Sequence, residues 1–219
     1  MILCFLTQLG SVSVVEFNLV PRSALAPFIQ LGWYGATVDS PGVVLSEVNN
    51  FALASITAFN GQDMALSDAI KAHFKIDLPK ASQTTIMNGI NFISIAPSQW
   101  LAFAESSKAK DFISTLESAT GTIAAVVDQS DARAIIEISG PKARETLAKG
   151  ISVDLHQKAF AVGDSASTLA VQLWITLWQT ELAPTYRIAV FRAFGSSLLE
   201  WLVNSGAEFG CQVIGDPIP

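Results

Sequence analysis

Charge is scarce in this sequence. Only 15% of its 219 residues are Asp, Glu, Lys or Arg, where a soluble domain usually carries about a quarter. The 13 basic residues are scattered singly and the net charge is −6. A nucleic-acid surface needs clustered Lys and Arg to neutralise phosphates, so that class is set aside. Histidine and cysteine are equally thin, at two each. His73 and His156 have no nearby partner of metal-ligand spacing and read as structural or surface histidines. Cys4 and Cys211 are read as free thiols rather than a bridge between the termini. No window holds 18 uncharged apolar residues, which excludes a membrane-spanning helix. No GxGxxG follows a strand, so neither FAD nor NAD is held here by the usual fingerprint. Nor does any stretch pair a nucleophile with a base, and no catalytic residue and no metal ligand is assigned.

Apolar residues are abundant instead. They make up 50% of the chain, and mean hydropathy is +0.42. With a membrane span set aside, the excess implies a large surface covered by a partner protein. Aromatic anchors dominate such surfaces, and the candidates are Trp33, Tyr34, Trp174 and Trp178. Trp174 and Trp178 are four apart, so in a strand they share a face.

The most patterned stretch is Asp128–Leu155. Ala134–Ile138 is rich in β-branched residues, as suits a strand buried on both faces. Ser139-Gly140-Pro141 breaks it, Pro141 suits a first helical turn, and Gly150 is a natural stop. Three carboxylates lie nearby: Asp128, Asp131 and Asp154. Asp128 stands at a strand end, where a carboxylate commonly accepts turn N–H groups.

Met1–Val15 carries no basic residue, so it reads as an extended arm rather than a secretory leader. Pro21 and Pro27 keep the region out of long helices. Strands are expected at Phe51–Phe59, Thr84–Met87, Asn91–Ile95, Trp100–Ala104 and Tyr186–Phe191, and one or two β segments within Thr168–Thr180. Helices are expected from Ser67 to Phe74, from a Ser107 cap to Gly121, and over Ser196–Asn204. Cys211–Pro219 reads as an irregular tail.

An internal repeat runs through this order. Ile76-Asp77-Leu78 and Val153-Asp154-Leu155 both follow a strand and a short helix. Trp100-Leu101-Ala102-Phe103 and Tyr186-Arg187-Ile188-Ala189-Val190 both precede an apolar helix. The expectation is an α+β chain with duplicated β-α-β-β-α halves related by pseudo-twofold symmetry. Its divisions are an extended arm over 1–42, halves over 43–121 and 122–210, and a tail over 211–219.

These motifs carry a resemblance. Asp128-Gln129-Ser130, Ile138-Ser139-Gly140-Pro141, Lys142-Ala143-Arg144, Val153-Asp154-Leu155-His156, Ala159-Phe160 and Leu177-Trp178-Gln179 resemble the gamma subunit of heterotetrameric sarcosine oxidase. The likeness covers roughly 120–219 well and the front half loosely, through Arg22-Ser23-Ala24-Leu25. More distantly the stretch is similar to the folate-binding domain of aminomethyltransferases, the T-protein of the glycine-cleavage system. That family has the same Asp-x-Ser, the same Ser-Gly-Pro turn and a duplicated α+β unit. The resemblance implies a cytoplasmic, non-catalytic scaffolding chain with alpha, beta and delta partner subunits. FAD, FMN, NAD and tetrahydrofolate would sit in those partners while sarcosine is oxidised to glycine with O2. The alternative it leaves open is a stand-alone folate-binding module. In the T-protein family an Asn-Asp pair follows the helix and its Asp lies in the folate site. Here the pair is Val153-Asp154, which makes Asp154 the one folate contact that carries over, without its Asn.

Overall fold

The computed structural model describes residues 22–215. Cys4 and the first part of the expected arm lie outside them. The described chain forms two sheets and five helices.

The first stretch contains β1 (Gly32–Tyr34), β2 (Val43–Val48), β3 (Ala52–Ala58), α1 (Asp63–Phe74), β4 (Thr84–Met87), β5 (Ile90–Ala96) and β6 (Gln99–Ala104). Then come α2 (Ser106–Ala109), α3 (Phe112–Thr120) and β7 (Ala124–Asp128). The remainder is β8 (Arg133–Ser139), α4 (Ala143–Leu147), β9 (Ser165–Ala170), β10 (Leu173–Glu181), β11 (Thr185–Phe191), α5 (Gly195–Gly206) and β12 (Cys211–Ile214). Three strands run from α1 to α2 and three from α4 to α5, where the β-α-β-β-α pattern holds two.

One sheet has seven strands in the order β1-β12-β2-β8-β11-β10-β9, the other five in the order β4-β5-β6-β3-β7. Strand period 2 lets each sheet bury both faces. In β3, Ala54 and Ile56 point outward and pack under α1 and α3 with Leu66, Ile70, Phe112 and Leu116. Leu53, one residue out of phase, points inward. There it joins Ile93, Leu101 and Phe103 of its own sheet and Ile135, Trp178 and Ala189 of the other. On the far side Ile136, Ile175 and Ile188 pack beneath Leu147, Leu198 and Leu202 of α4 and α5. The layers therefore run helix, sheet, sheet, helix, and each fully buried Leu, Ile or Phe contributes about 1.5–3 kcal/mol.

Two elements differ from expectation in length. α1 begins at Asp63, four residues before Ser67. Leu66 and Ile70 are both fully buried, one helical turn apart, and Asp63 favours the positive N-terminus. The single helix expected after Ser107 is two, because Asp111 adopts φ +59°. Its carbonyl then accepts Ser114 Oγ, Thr115 Oγ1 and Thr115 N.

Cys211–Ile214 is a strand, not part of an irregular tail. It lies parallel to β2, Cys211 opposite Val43 and Val213 opposite Leu45. Strand exchange ties the chain together. β2 joins the sheet of β8, while β7 joins the sheet of β3. Close backbone approaches fix these crossings. A Cβ on Gly140 (φ +107°) would stand 2.6 Å from the Gly42 oxygen, and Lys142 N donates to that same oxygen at 2.9 Å.

Candidate functional site

Asp128 closes a turn. Its Oδ1 accepts Ser130 N at 2.9 Å and Ser130 Oγ at 2.7 Å. The Leu53 N–H in turn donates to Ser130 Oγ at 3.0 Å. The Asp-x-Ser motif thus ties the end of β7 to the start of β3. Asp131 is exposed and lines a cavity that Asp154 does not share.

Asp154 follows α4, where the chain leaves Gly150 in irregular backbone. Its Oδ1 accepts the His156 N–H at 2.9 Å, and His156 Nδ1 accepts the Lys158 N–H at 3.2 Å. Both side chains are exposed. Beside them is an open surface cavity of about 500 Å³ walled by Pro141, Arg144, Ala148, Ile151, Val153 and Leu155. Arg144 leans over the Tyr186 ring at 5.9 Å. Its Nε and the Tyr186 hydroxyl are buried without hydrogen-bond partners among the described residues. Burial pushes the Tyr186 phenol up, against a smaller opposing pull from Arg144. Glu145, at the rim, is held below the usual carboxylate range chiefly by its hydrogen bond from Lys142.

One oxygen of Asp154 serves its own turn, and the other makes no hydrogen bond among the described residues. The cavity mixes aliphatic walls with Arg144, Glu145, Asp154, His156 and Gln157, while Phe160 and Tyr186 are buried, at 4% and 0% exposure. Asp154 Oδ1 and His156 Nδ1 each accept a backbone N–H of their own turn.

No set of three His, Cys, Asp or Glu side chains gathers as a metal site among the described residues. Cys211 is buried and free. His73 is exposed on α1.

The aromatic candidates separate. Trp33 is 39% exposed and its Nε1 donates to Ala36 O at 2.8 Å. Tyr34 is half-buried, its hydroxyl donating to Gln30 O at 2.7 Å. Trp174 is 54% exposed, beside Leu169 directly across on β9. Trp178 is the correction. It shares a face with Trp174 as expected, but at 0% exposure its ring lies between the two sheets against Phe103, so the folded chain cannot offer it to a partner. The sheets overlap at Trp178, and β10 runs on past the overlap to Trp174.

Sequence reasoning missed the charged residues on the inner faces. Arg187 donates to Glu137 Oε2 at 2.9 Å and to Glu105 Oε1 at 3.3 Å, which links the two sheets. Arg133 stacks over Phe191 at 4.0 Å. The available signal was a charge at alternate positions of an otherwise apolar strand, Arg133 and Glu137.

The family model described as "Sarcosine oxidase, gamma subunit family" matches residues 59–208. The sarcosine oxidase subunit gamma of an Arthrobacter species is 26% identical over 211 residues, 94% of this chain and 100% of the relative. That of Corynebacterium sp. (strain P-1) is 28% identical over 210 residues, again 94% and 100%. Among solved structures, heterotetrameric sarcosine oxidase from Corynebacterium sp. U-96 in complex with pyrrole 2-carboxylate superposes with TM-score 0.72 at 24% identity, covering 86% of this chain and 96% of that one. Glycine cleavage system aminomethyltransferase T from Bartonella henselae gives TM-score 0.59 at 14% identity, covering 80% of this chain and 48% of that one. Both superpositions bear on the fold.

Proposed function

We infer a role from the family to which this chain belongs, that of the sarcosine oxidase gamma subunit. It is the gamma subunit of a heterotetrameric sarcosine oxidase and acts in it as a non-catalytic scaffold. The observation that carries this reading is the family match over 59–208, with relatives aligned along their full length. The turn hydrogen bonds that Asp128, Asp154 and His156 accept from neighbouring N–H groups support the non-catalytic part.

The partners in this reading are alpha, beta and delta subunits, which hold FAD, FMN, NAD and tetrahydrofolate. The complex is cytoplasmic and demethylates sarcosine to glycine with O2. Trp174 and Trp33 are the rings that meet a partner, Tyr34 bracing the second.

The chain is built as two halves, 43–121 and 122–210, related by pseudo-twofold symmetry. What supports this is the order strand, helix, three strands, helical region, which occurs twice, from β3 to α3 and from β8 to α5. Each half lends one strand to the other's sheet, so the halves are interlocked.

The test is co-expression with the other three subunits. The chain is expected to co-purify with them, to carry no flavin absorbance alone, and to tolerate Asp154→Ala with turnover on sarcosine within about threefold. Loss of an acid–base group typically costs ~100-fold or more. A hundredfold loss in a complex that still assembles would establish the rival reading, a folate-binding module centred on Asp154.

A further inference from the structure

Two arginines project from the seven-stranded sheet toward the five-stranded one, and they are treated differently. Arg187 is paired with two carboxylates, at 2.9 and 3.3 Å. Arg133 opens β8 opposite Phe191, with its guanidinium 4.0 Å from that ring's centre. Its Nε and Nη1 are buried and make no hydrogen bond, and no carboxylate lies within salt-bridge distance among the described residues.

Of the acids around it, Glu47 and Asp128 are committed elsewhere, while Asp131 stands exposed on the cavity and makes no ion pair with Arg133. Glu47 accepts from Ser23 Oγ and Leu25 N. Asp128 accepts twice from Ser130. Arg192, on the same cavity, donates to the carbonyls of Arg22 and Ser23. Arg133 is thus left without a carboxylate partner among the described residues, with two of its N–H groups buried. Burial lowers its pKa, yet a guanidinium stays charged at any ordinary pH. Two buried N–H groups of a half-buried guanidinium without acceptors are costly, so a group that accepts from them recovers part of that cost.

Beside it lies a cavity of about 100 Å³, lined by Arg22, Asn49, Asn50, Ser130, Arg133 and Arg192. That is room for roughly three waters, hence for a carboxylate with one or two carbons behind it. We propose that this cavity is a carboxylate-binding site, with Arg133 as its receptor.

The anion class follows from shape and charge. A planar carboxylate matches two parallel guanidinium N–H groups. Glu47 and Asp131 also line the cavity, and they would repel a phosphate dianion more than a monoanion. Phe191 fixes the plane of the guanidinium, so little is lost in ordering it. The carboxylate is either a free small acid or an Asp, Glu or C-terminal carboxylate of a partner subunit. The partner source rests on the assembly reading above; the free-acid source does not.

The experiment has three arms. First, the melting temperature of the purified chain is followed in sodium acetate, phosphate and chloride at matched ionic strength. Acetate at ten times its dissociation constant is expected to raise it by about 3–6 °C over chloride, phosphate by less. Arg133→Gln is expected to abolish the difference and Arg133→Lys to reduce it. Secondly, affinity for the other subunits is measured with and without acetate. If a partner provides the carboxylate, Arg133→Gln weakens assembly at least tenfold and acetate competes with wild-type assembly. Either a specific acetate shift or this assembly loss supports the site. Normal co-purification of Arg133→Gln without any acetate shift overturns it and leaves the gamma-subunit reading standing. An equal acetate shift in wild type and Arg133→Gln overturns it too. Thirdly, Glu16→Gln tests the one acid among residues 1–21. If that variant alone reproduces the losses, the pair is internal and no external ligand is bound. Should Arg133→Gln fail to fold, the wild-type acetate titration and Arg133→Lys decide.

Discussion

Trp178 is the side chain on which the two sheets close, and its removal discriminates core from interface. The ring is fully buried, tilted 55° to Phe103 with centroids 6.4 Å apart. It lies among Leu53, Ile93, Leu101, Ile135 and Ala189. Trp178→Ala opens a cavity between two rigid layers that cannot collapse together, and the expected loss is ~3–5 kcal/mol. At about 2–4 °C per kcal/mol for a chain of this size, melting falls by about 6–20 °C. Trp178→Phe is a sharper probe. The indole Nε1 has no acceptor among the described residues, so Phe removes a buried unpaired donor whose cost is ~1–3 kcal/mol. That gain offsets the lost area, and the net change is expected within about 1 kcal/mol. Trp174→Ala is the control. Its ring is 54% exposed, so melting should stay within ~0.5 kcal/mol. An interface hot spot is worth ~2 kcal/mol or more, so assembly should weaken about thirtyfold. Thermal and urea unfolding of the free chain, with affinity for the alpha subunit, give all these numbers. The reasoning fails if Trp178→Ala melts within about 2 °C of wild type, or if Trp178→Phe costs as much as Trp178→Ala.

Two further outcomes follow from the inner charges and the buried thiol. Glu137→Gln should cost ~1–2 kcal/mol in urea unfolding and Glu105→Gln under ~0.5 kcal/mol, because the Glu137 side chain is 29% exposed and the Glu105 side chain 47%; the reverse order would sink the account of the clamp. Burial pushes the Cys211 thiol up to about 11, above its unfolded value near 8.5. The unfolded chain therefore releases its proton first, and this group's contribution, complete below about pH 8.5, is lost as pH rises toward 11. The decline is on the order of 3 kcal/mol, and Cys211→Ala should lack it; parallel pH–stability curves for the two proteins would refute the burial argument.

Local signals carried most of the fold. Thr84–Met87 is a strand as expected because Asn88-Gly89 turns it back: Asn88 and Gly89 both adopt positive φ. Gly121 ends α3 at φ +52° for the same reason. What escaped was the parallel pair. Val43–Val48 was not expected as a strand, nor Cys211–Ile214. Each is short, and its partner lies at the other end of the chain. The sites divide likewise. Asp128 was legible as a turn residue, since its partner is two positions away. Arg133 was not, because its burial is created by Phe191 across the sheet and its lack of a partner by the commitments of Glu47 and Asp128.

The scarcity of charge has a second cause within the fold. Both sheets are covered on both faces, by helices outside and by each other within. Strands such as β6, with five of six residues buried, and β8 leave few positions for a polar side chain. Much of the apolar excess is therefore consumed internally, and it argues less for a partner than the composition alone implies. The argument for a partner passes to particular residues that the layers leave uncovered. Trp174, Leu169 and Val171 cluster on the β9–β10 hairpin at 54%, 42% and 54% exposure. Phe28, Leu31 and Trp33 precede or enter the edge strand β1, at 60%, 50% and 39%. Neither group adds to the two cores that hold the helices to the sheets. Folding thus has no need of these side chains to be apolar, whereas association does.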